Sequence, residues 1–278
     1  MYKALDIGAL GISLSPKEAM ALAARHGFDG VSVDPKAIEA EGADNISGWL
    51  EEYGLVNAGF GMGCNINAEG DAYNAELASM ASRAKLARAA GATRALTWMM
   101  SSSNDRDYDA QYDYMAKRLK PFSDILKNEG ILLSIEFIGT KAAYTSGKYP
   151  FIRTLTETLR LCDTIGCSVL VDAHHMHTAG HTMDILLGLK ACQVGYVHAC
   201  DAMTGFAHDE LPDSPRMLPG ETGVVDNAGM LANLKRIGYE GPVVVEPFYP
   251  PFKEITDPDE KASKTIAALN SVWPNARV

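Results

Sequence analysis

Short apolar runs of strand length alternate with longer stretches of helical period from one end of the chain to the other, and few architectures accept that order. A strand can pair in parallel with the next only after a long crossover, and a helix is the usual crossover, so repeated units build a parallel sheet covered by helices. About eight such units are legible, the number of a closed (β/α)8 barrel. Strands are predicted at residues 5–9, 30–33, 56–61, 95–99, 131–137, 168–172, 195–198 and 242–246. A doubly wound open sheet shows the same alternation, so the side chains at the strand ends must decide between the two.

Several helices carry their own punctuation. Ser15-Pro16-Lys17-Glu18 reads as a capping box with proline in the first turn, Met20, Ala23 and Ala24 line one face, and Gly27 supplies the stop. Residues 74–90 place Leu77, Met80, Ala81, Ala84 and Ala87 at helical spacing before Gly91. Tyr112, Met115, Ala116, Leu119, Phe122 and Leu126 form another stripe, which Pro121 is expected to kink or split. Asp257-Pro258-Asp259-Glu260 starts a last helix with Ala262, Ile266, Leu269 and Trp273 on one side. With no linker or low-complexity stretch, residues 1–278 read as one domain, an α/β single (β/α)8 TIM barrel, and 278 residues at 47% hydrophobic and 22% charged suit that size.

In a barrel the C-terminal strand ends build the active site, so an ionisable residue closing an apolar run is informative. Four consecutive units end this way. Ile131 to Ile135 runs into Glu136, Val169-Leu170-Val171 into Asp172, Tyr196-Val197 into His198, and Val243-Val244-Val245 into Glu246. Three carboxylates at buried strand ends are costly unless paired, and no Lys or Arg lies in the same strands, whereas one dication would neutralise them. Three oxygens and one imidazole suit Mn²⁺ first and admit Mg²⁺, Co²⁺ or Zn²⁺. Each residue taken alone also fits a capping or supporting role.

His175, three residues past Asp172, is placed to bond a substrate oxygen, while His174 and His177 read as supporting or ordinary loop residues and His26 and His208 as structural or exposed. Arg216 lies in a long loop over residues 199–224, of the kind that often forms a lid, and could fix a hydroxyl or carboxylate. Its bland alternative is a surface salt bridge with Asp213 or Glu221.

The formal charge of −10 disfavours a nucleic-acid partner. No apolar run approaches the roughly 20 residues of a membrane span, and Met1-Tyr2-Lys3 opens without a signal-peptide core, so a cytoplasmic protein that does not engage membranes is expected. Cys64, Cys162, Cys167, Cys192 and Cys200 are odd in number and form no CxxC pair, which reads as reduced thiols.

The stretches Ile135-Glu136-Phe137-Ile138-Gly139, Val171-Asp172-Ala173-His174-His175-Met176-His177, Val197-His198-Ala199-Cys200-Asp201, Arg216 to Gly220 and Val245-Glu246-Pro247-Phe248 resemble, in order and spacing, the xylose isomerase-like barrel superfamily, and most closely its inosose isomerase branch. The resemblance implies metal ligation by Glu136, Asp172, His198 and Glu246, and substrate binding by His175 and Arg216. Two places depart from the pattern: the turn Pro219 to Gly223 is one residue longer than Pro-Gly-x-Gly, and Glu136 lacks the following Pro-x-Asn of ketose 3-epimerases.

The expected activity is isomerisation or epimerisation of a ketose or keto-cyclitol, with one divalent metal and with Glu136 and Glu246 moving the α-proton. A lyase or dehydratase acting on a 3-keto glycoside or inosose is the nearest alternative. An endonuclease IV-like repair enzyme, which needs more metals and a basic groove, and a non-catalytic sugar-binding protein stand further off. A homo-oligomer is compatible with all of these.

Overall fold

A computed structural model of the chain describes residues 1–274. Eight parallel strands close on themselves: β1 (Tyr2–Leu5), β2 (Gly30–Ser32), β3 (Val56–Gly61), β4 (Arg94–Met99), β5 (Leu132–Phe137), β6 (Ser168–Asp172), β7 (Val194–Ala199) and β8 (Pro242–Val245). Each pairs with its sequence neighbours, and Tyr2 opposite Pro242 closes the ring between β1 and β8. The open-sheet alternative is therefore excluded.

Strand alternation of period two sorts the side chains. Leu5, Leu133, Ile135, Phe137, Val169, Val171, Val197, Val243 and Val245 face outward into the large core shared with the helices. Ala4, Ala58, Leu170, Tyr196 and Val244 pack inside the barrel as a separate cluster. Below that cluster Ser134 and Ser168 meet across β5 and β6, with hydroxyl oxygens 3.0 Å apart. One step above it, the same alternation puts Glu136, Asp172, His198 and the residue after β8, Glu246, at the mouth.

The helices follow their sequence signals, with some shifted ends. Pro16–Arg25 has the full capping box, in which the Glu18 amide donates to Ser15 Oγ and the Ser15 amide donates to Glu18 Oε2. The helix expected from residue 74 starts earlier and spans Gly70–Ala89. Tyr108–Asn128 runs through Pro121 without a break, contrary to a split; proline deletes a single amide donor there, and Met115, Leu119, Phe122 and Leu126 stay buried on one stripe. Pro258–Val272 is capped by Asp257, whose carboxylate accepts from the Asp259 amide.

The first strand was expected at residues 5–9 but occupies Tyr2–Leu5. Asp6 ends it, since its Oδ1 accepts from the Ala9 amide while Leu10 donates back to the Asp6 carbonyl, which folds residues 6–11 into turns. Ile7, Leu10 and Ile12 still join the core, as an apolar turn rather than a strand. None of the five cysteines forms a disulfide, and no described helix is long and apolar enough to cross a membrane.

At Gly195 in β7 an added Cβ would run into the hydroxyls of Ser134 and Ser168. The narrow inner layer has no slack, so Gly195→Ala is expected to cost about 1–3 kcal/mol by overpacking. Urea unfolding followed by circular dichroism reads this as a lowered midpoint with an unchanged slope.

Candidate metal centre

Glu136, Asp172, His198 and Glu246 come together at the mouth, each offering one donor atom, all within 4.8 Å of one another. Asp172 and His198 are register partners across β6 and β7. From His198 Nδ1 the nearest carboxylate oxygens of Glu136, Glu246 and Asp172 lie at 3.2, 3.6 and 3.9 Å. Donors sharing one ion at about 2.0–2.6 Å lie no more than twice that apart, so the cluster has the size of a coordination sphere.

Its charge points the same way. Burial pushes the Asp172 and Glu246 carboxyls up; Arg216 opposes this at Asp172, and His198 opposes it at Glu246. Burial pulls the His198 imidazole down, but Glu246, Glu136 and Asp172 overcome this and hold it up at about 10. Three carboxylates against one guanidinium leave a surplus of two negative charges, which a protonated His198 halves and a dication with neutral His198 cancels. The donor set therefore fits a divalent ion of oxygen and nitrogen preference.

Arg216 is buried rather than displayed. Nη1 donates to Glu246 Oε2 at 2.7 Å and to Asp172 Oδ2 at 3.3 Å, Nη2 donates to Asp213 Oδ1 at 2.8 Å and His175 Nε2 at 3.0 Å, and Nε donates to the Asp213 carbonyl at 2.9 Å. The surface-bridge alternative is half met, because Asp213 is a partner, but inside the mouth. Glu221 is engaged elsewhere, accepting from the Leu218 amide and the Tyr249 hydroxyl.

His175 sits on the short helix Ala173–Thr178, fully buried beneath Arg216. Burial and the adjacent guanidinium keep it neutral. A neutral imidazole has one acceptor nitrogen, yet two donors face this ring: Arg216 on Nε2, and the Gly139 amide 3.3 Å from Nδ1. The ring can satisfy one at a time. A direct bond from His175 to substrate would require Arg216 to move aside. His174, held neutral by burial, donates from Nε2 to the Pro212 carbonyl at 3.0 Å. His177 is half-buried and His208 exposed, while His26 contacts Asp259 between the first and last helices.

Three residues at or behind the mouth received no role from the sequence. Asp201 is fully buried and accepts four amide hydrogens, from Ala202 and Val225 on Oδ1 and from Thr222 and Gly223 on Oδ2. The longer turn at 219–223 supplies two of these donors. With Met217 paired to Asp201 and Arg216 paired to Phe248 through their backbones, this part of the expected lid is tied down. Trp98, register partner of Glu136, stands 56% exposed beside it. Asp6 follows β1 at the same height, near enough to push the Glu246 carboxyl further up.

Because His198 must shed a proton to coordinate through Nδ1, affinity for a dication is expected to rise with pH up to about 10. Near pH 7.5, Mn²⁺ binding should release about one proton or more, read by calorimetry in buffers of different ionisation enthalpy. Identical apparent enthalpies in all buffers would contradict it. Asp172→Asn should lose the ion.

The profile of the xylose isomerase-like TIM barrel family matches residues 20–272. The inosose isomerase of Bacillus subtilis (strain 168) is 26% identical over 160 residues, which are 56% of this chain and 54% of that protein. The chain thus spans about half the length of the curated relatives it matches. A xylose isomerase domain protein from Alicyclobacillus acidocaldarius subsp. acidocaldarius superposes with a TM-score of 0.85 at 26% identity, over 98% of both chains. The IOLI protein, solved with a binding zinc atom, superposes with a TM-score of 0.81 at 17% identity over 98% of both chains, a likeness of fold. With the profile covering nearly the whole barrel, the chain belongs to the xylose isomerase-like TIM barrel family.

Proposed function

We propose that the protein is a divalent-metal-dependent isomerase or epimerase of a ketose or keto-cyclitol. The observation that carries this reading is the convergence of Glu136, Asp172, His198 and Glu246 within 4.8 Å at the barrel mouth, together with the inosose isomerase likeness. Mn²⁺ is the first choice of ion for that donor set.

A hydrogen beside a carbonyl is weakly acidic, and a bound dication supplies the Lewis acidity that makes it removable. The chain contributes proton carriers and orientation. Glu136 accepts a hydrogen bond on Oε1 from His198, and its other oxygen has no hydrogen-bond partner among the described residues. Glu136 lines the mouth cavity of about 380 Å³ with Trp98, Arg216, Glu246 and Phe248, and its unpartnered oxygen is the proposed base. Glu246 lines the same cavity. It is the proposed acid, returning a proton to the neighbouring carbon or to the opposite face.

Arg216 holds Oε2 of Glu246, and His175 accepts from Arg216. All five guanidinium contacts are with protein groups, so a substrate oxygen reaches Arg216 by displacing Asp213, whose side chain is 52% exposed. Substrate binding by Arg216 and His175 is therefore proposed as one unit, with His175 acting through the guanidinium.

Glu136→Gln should retain Mn²⁺ and lower exchange of the substrate α-hydrogen with D₂O by about 10²–10⁴-fold, read by proton NMR with 2-keto-myo-inositol, fructose and tagatose. Undiminished exchange would remove Glu136 from the proton path.

A further inference from the structure

The mouth has a second chamber that one sugar ring does not need. The cavity at Glu136 and Glu246, about 380 Å³, already lies in the range of about 300–1,000 Å³ that encloses a small ligand. Across Trp98 lies a larger cavity of about 700 Å³, built between the ends of β3 and β4 and the start of helix Tyr108–Asn128. Trp98 and Met100 line both chambers, so the two meet at an apolar divider whose side chains are 56% and 47% exposed. The short strand Ser102–Ser103, paired with Tyr149–Pro150, forms part of the far wall.

The lining of the larger chamber is polar but weakly charged. Gln111 lines it, and its side-chain carbonyl oxygen, closed off behind the wall, has no hydrogen-bond partner. A buried acceptor left unmade costs about 1–3 kcal/mol, which favours a turn of the Gln111 side chain toward a hydroxyl donor in the chamber. Asn65 adds an exposed amide whose own oxygen is taken by the Asn67 backbone, leaving its NH₂ as a donor. Arg106 is the chamber's one cation among the described lining residues, and its guanidinium is stacked 3.8 Å over the Tyr114 ring. Glu69 and Asp105 outnumber it, which disfavours a phosphate or carboxylate. An apolar divider together with amides suits a ring with a hydrophobic face and hydroxyl edges.

We infer that this chamber receives an uncharged glycosyl substituent of the substrate, joined to the ketose whose reacting carbons lie at Glu136 and Glu246. The inference rests on the isomerase reading for the reacting end only.

The test is calorimetric binding of D-fructose, maltulose and isomaltulose, the last two being fructose with glucose on the 4- or 6-oxygen, to the manganese-loaded protein. At least one glucosyl ketose should bind about tenfold or more tightly than fructose. In Gln111→Leu and in Asn65→Trp, a filling change at an exposed loop position, the two affinities should converge while the melting temperature holds. Equal affinities in the parent protein, no binding of either glucosyl ketose at millimolar concentration, or a gap untouched by both variants would overturn the inference. Exchange of the fructose α-hydrogen in D₂O, followed in parallel, separates the two readings. Exchange without the gap leaves the isomerase standing, and the variant-sensitive gap without exchange for any ketose keeps the chamber and removes the isomerase.

Discussion

Like charges brought together away from water set the terms for the whole upper end of this barrel. Glu136, Asp172 and Glu246 are drawn within a few ångströms by strands that are rigid below them, and mutual repulsion alone would push the mouth apart. The buried guanidinium of Arg216 offsets part of that repulsion. The remainder is what a dication cancels and what, in its absence, a proton on His198 halves. The surrounding residues are arranged to keep Arg216 in place: His175 beneath it, Asp213 beside it, and its backbone clamped to Phe248.

Asp201 extends that support. A carboxylate that accepts four amide hydrogens is well compensated for its burial, and here three of the donors, Thr222, Gly223 and Val225, come from the segment that follows Arg216. The carboxylates at the mouth and the carboxylate behind the loop therefore do different work. Those at the mouth are short of partners and suited to an ion, while Asp201 is saturated by the backbone and holds the shape.

How much of this was legible in the sequence follows from the range of each signal. The strand ends at Glu136, Asp172, His198 and Glu246 were readable because the apolar runs before them fix both length and facing, and period two does the rest. Trp98 closes β4 as Glu136 closes β5, but a search tuned to ionisable residues passes over an indole. Asp6 was hidden because the first strand was placed several residues late, on apolar side chains that belong to a turn. The Asp201 contacts to the loop join residues 21 to 24 apart, and those of Arg216 with Glu246, His175 and Asp172 join residues 30 to 44 apart, through loops of irregular backbone, and no periodicity encodes such pairings. Pro121 misled in the other direction, because a helix with a well-packed stripe tolerates one missing donor.

The division of labour between staves and connections has a consequence for how such a scaffold diversifies. The four donors ride on β5 to β8 or one residue beyond, so their spacing is inherited with the cylinder itself. The walls of the larger chamber come mostly from the connections after β3 and β4, where insertion or exchange leaves the opposite side untouched. A lineage could retailor what it grips on one half of the rim while the reactive half stays as it was.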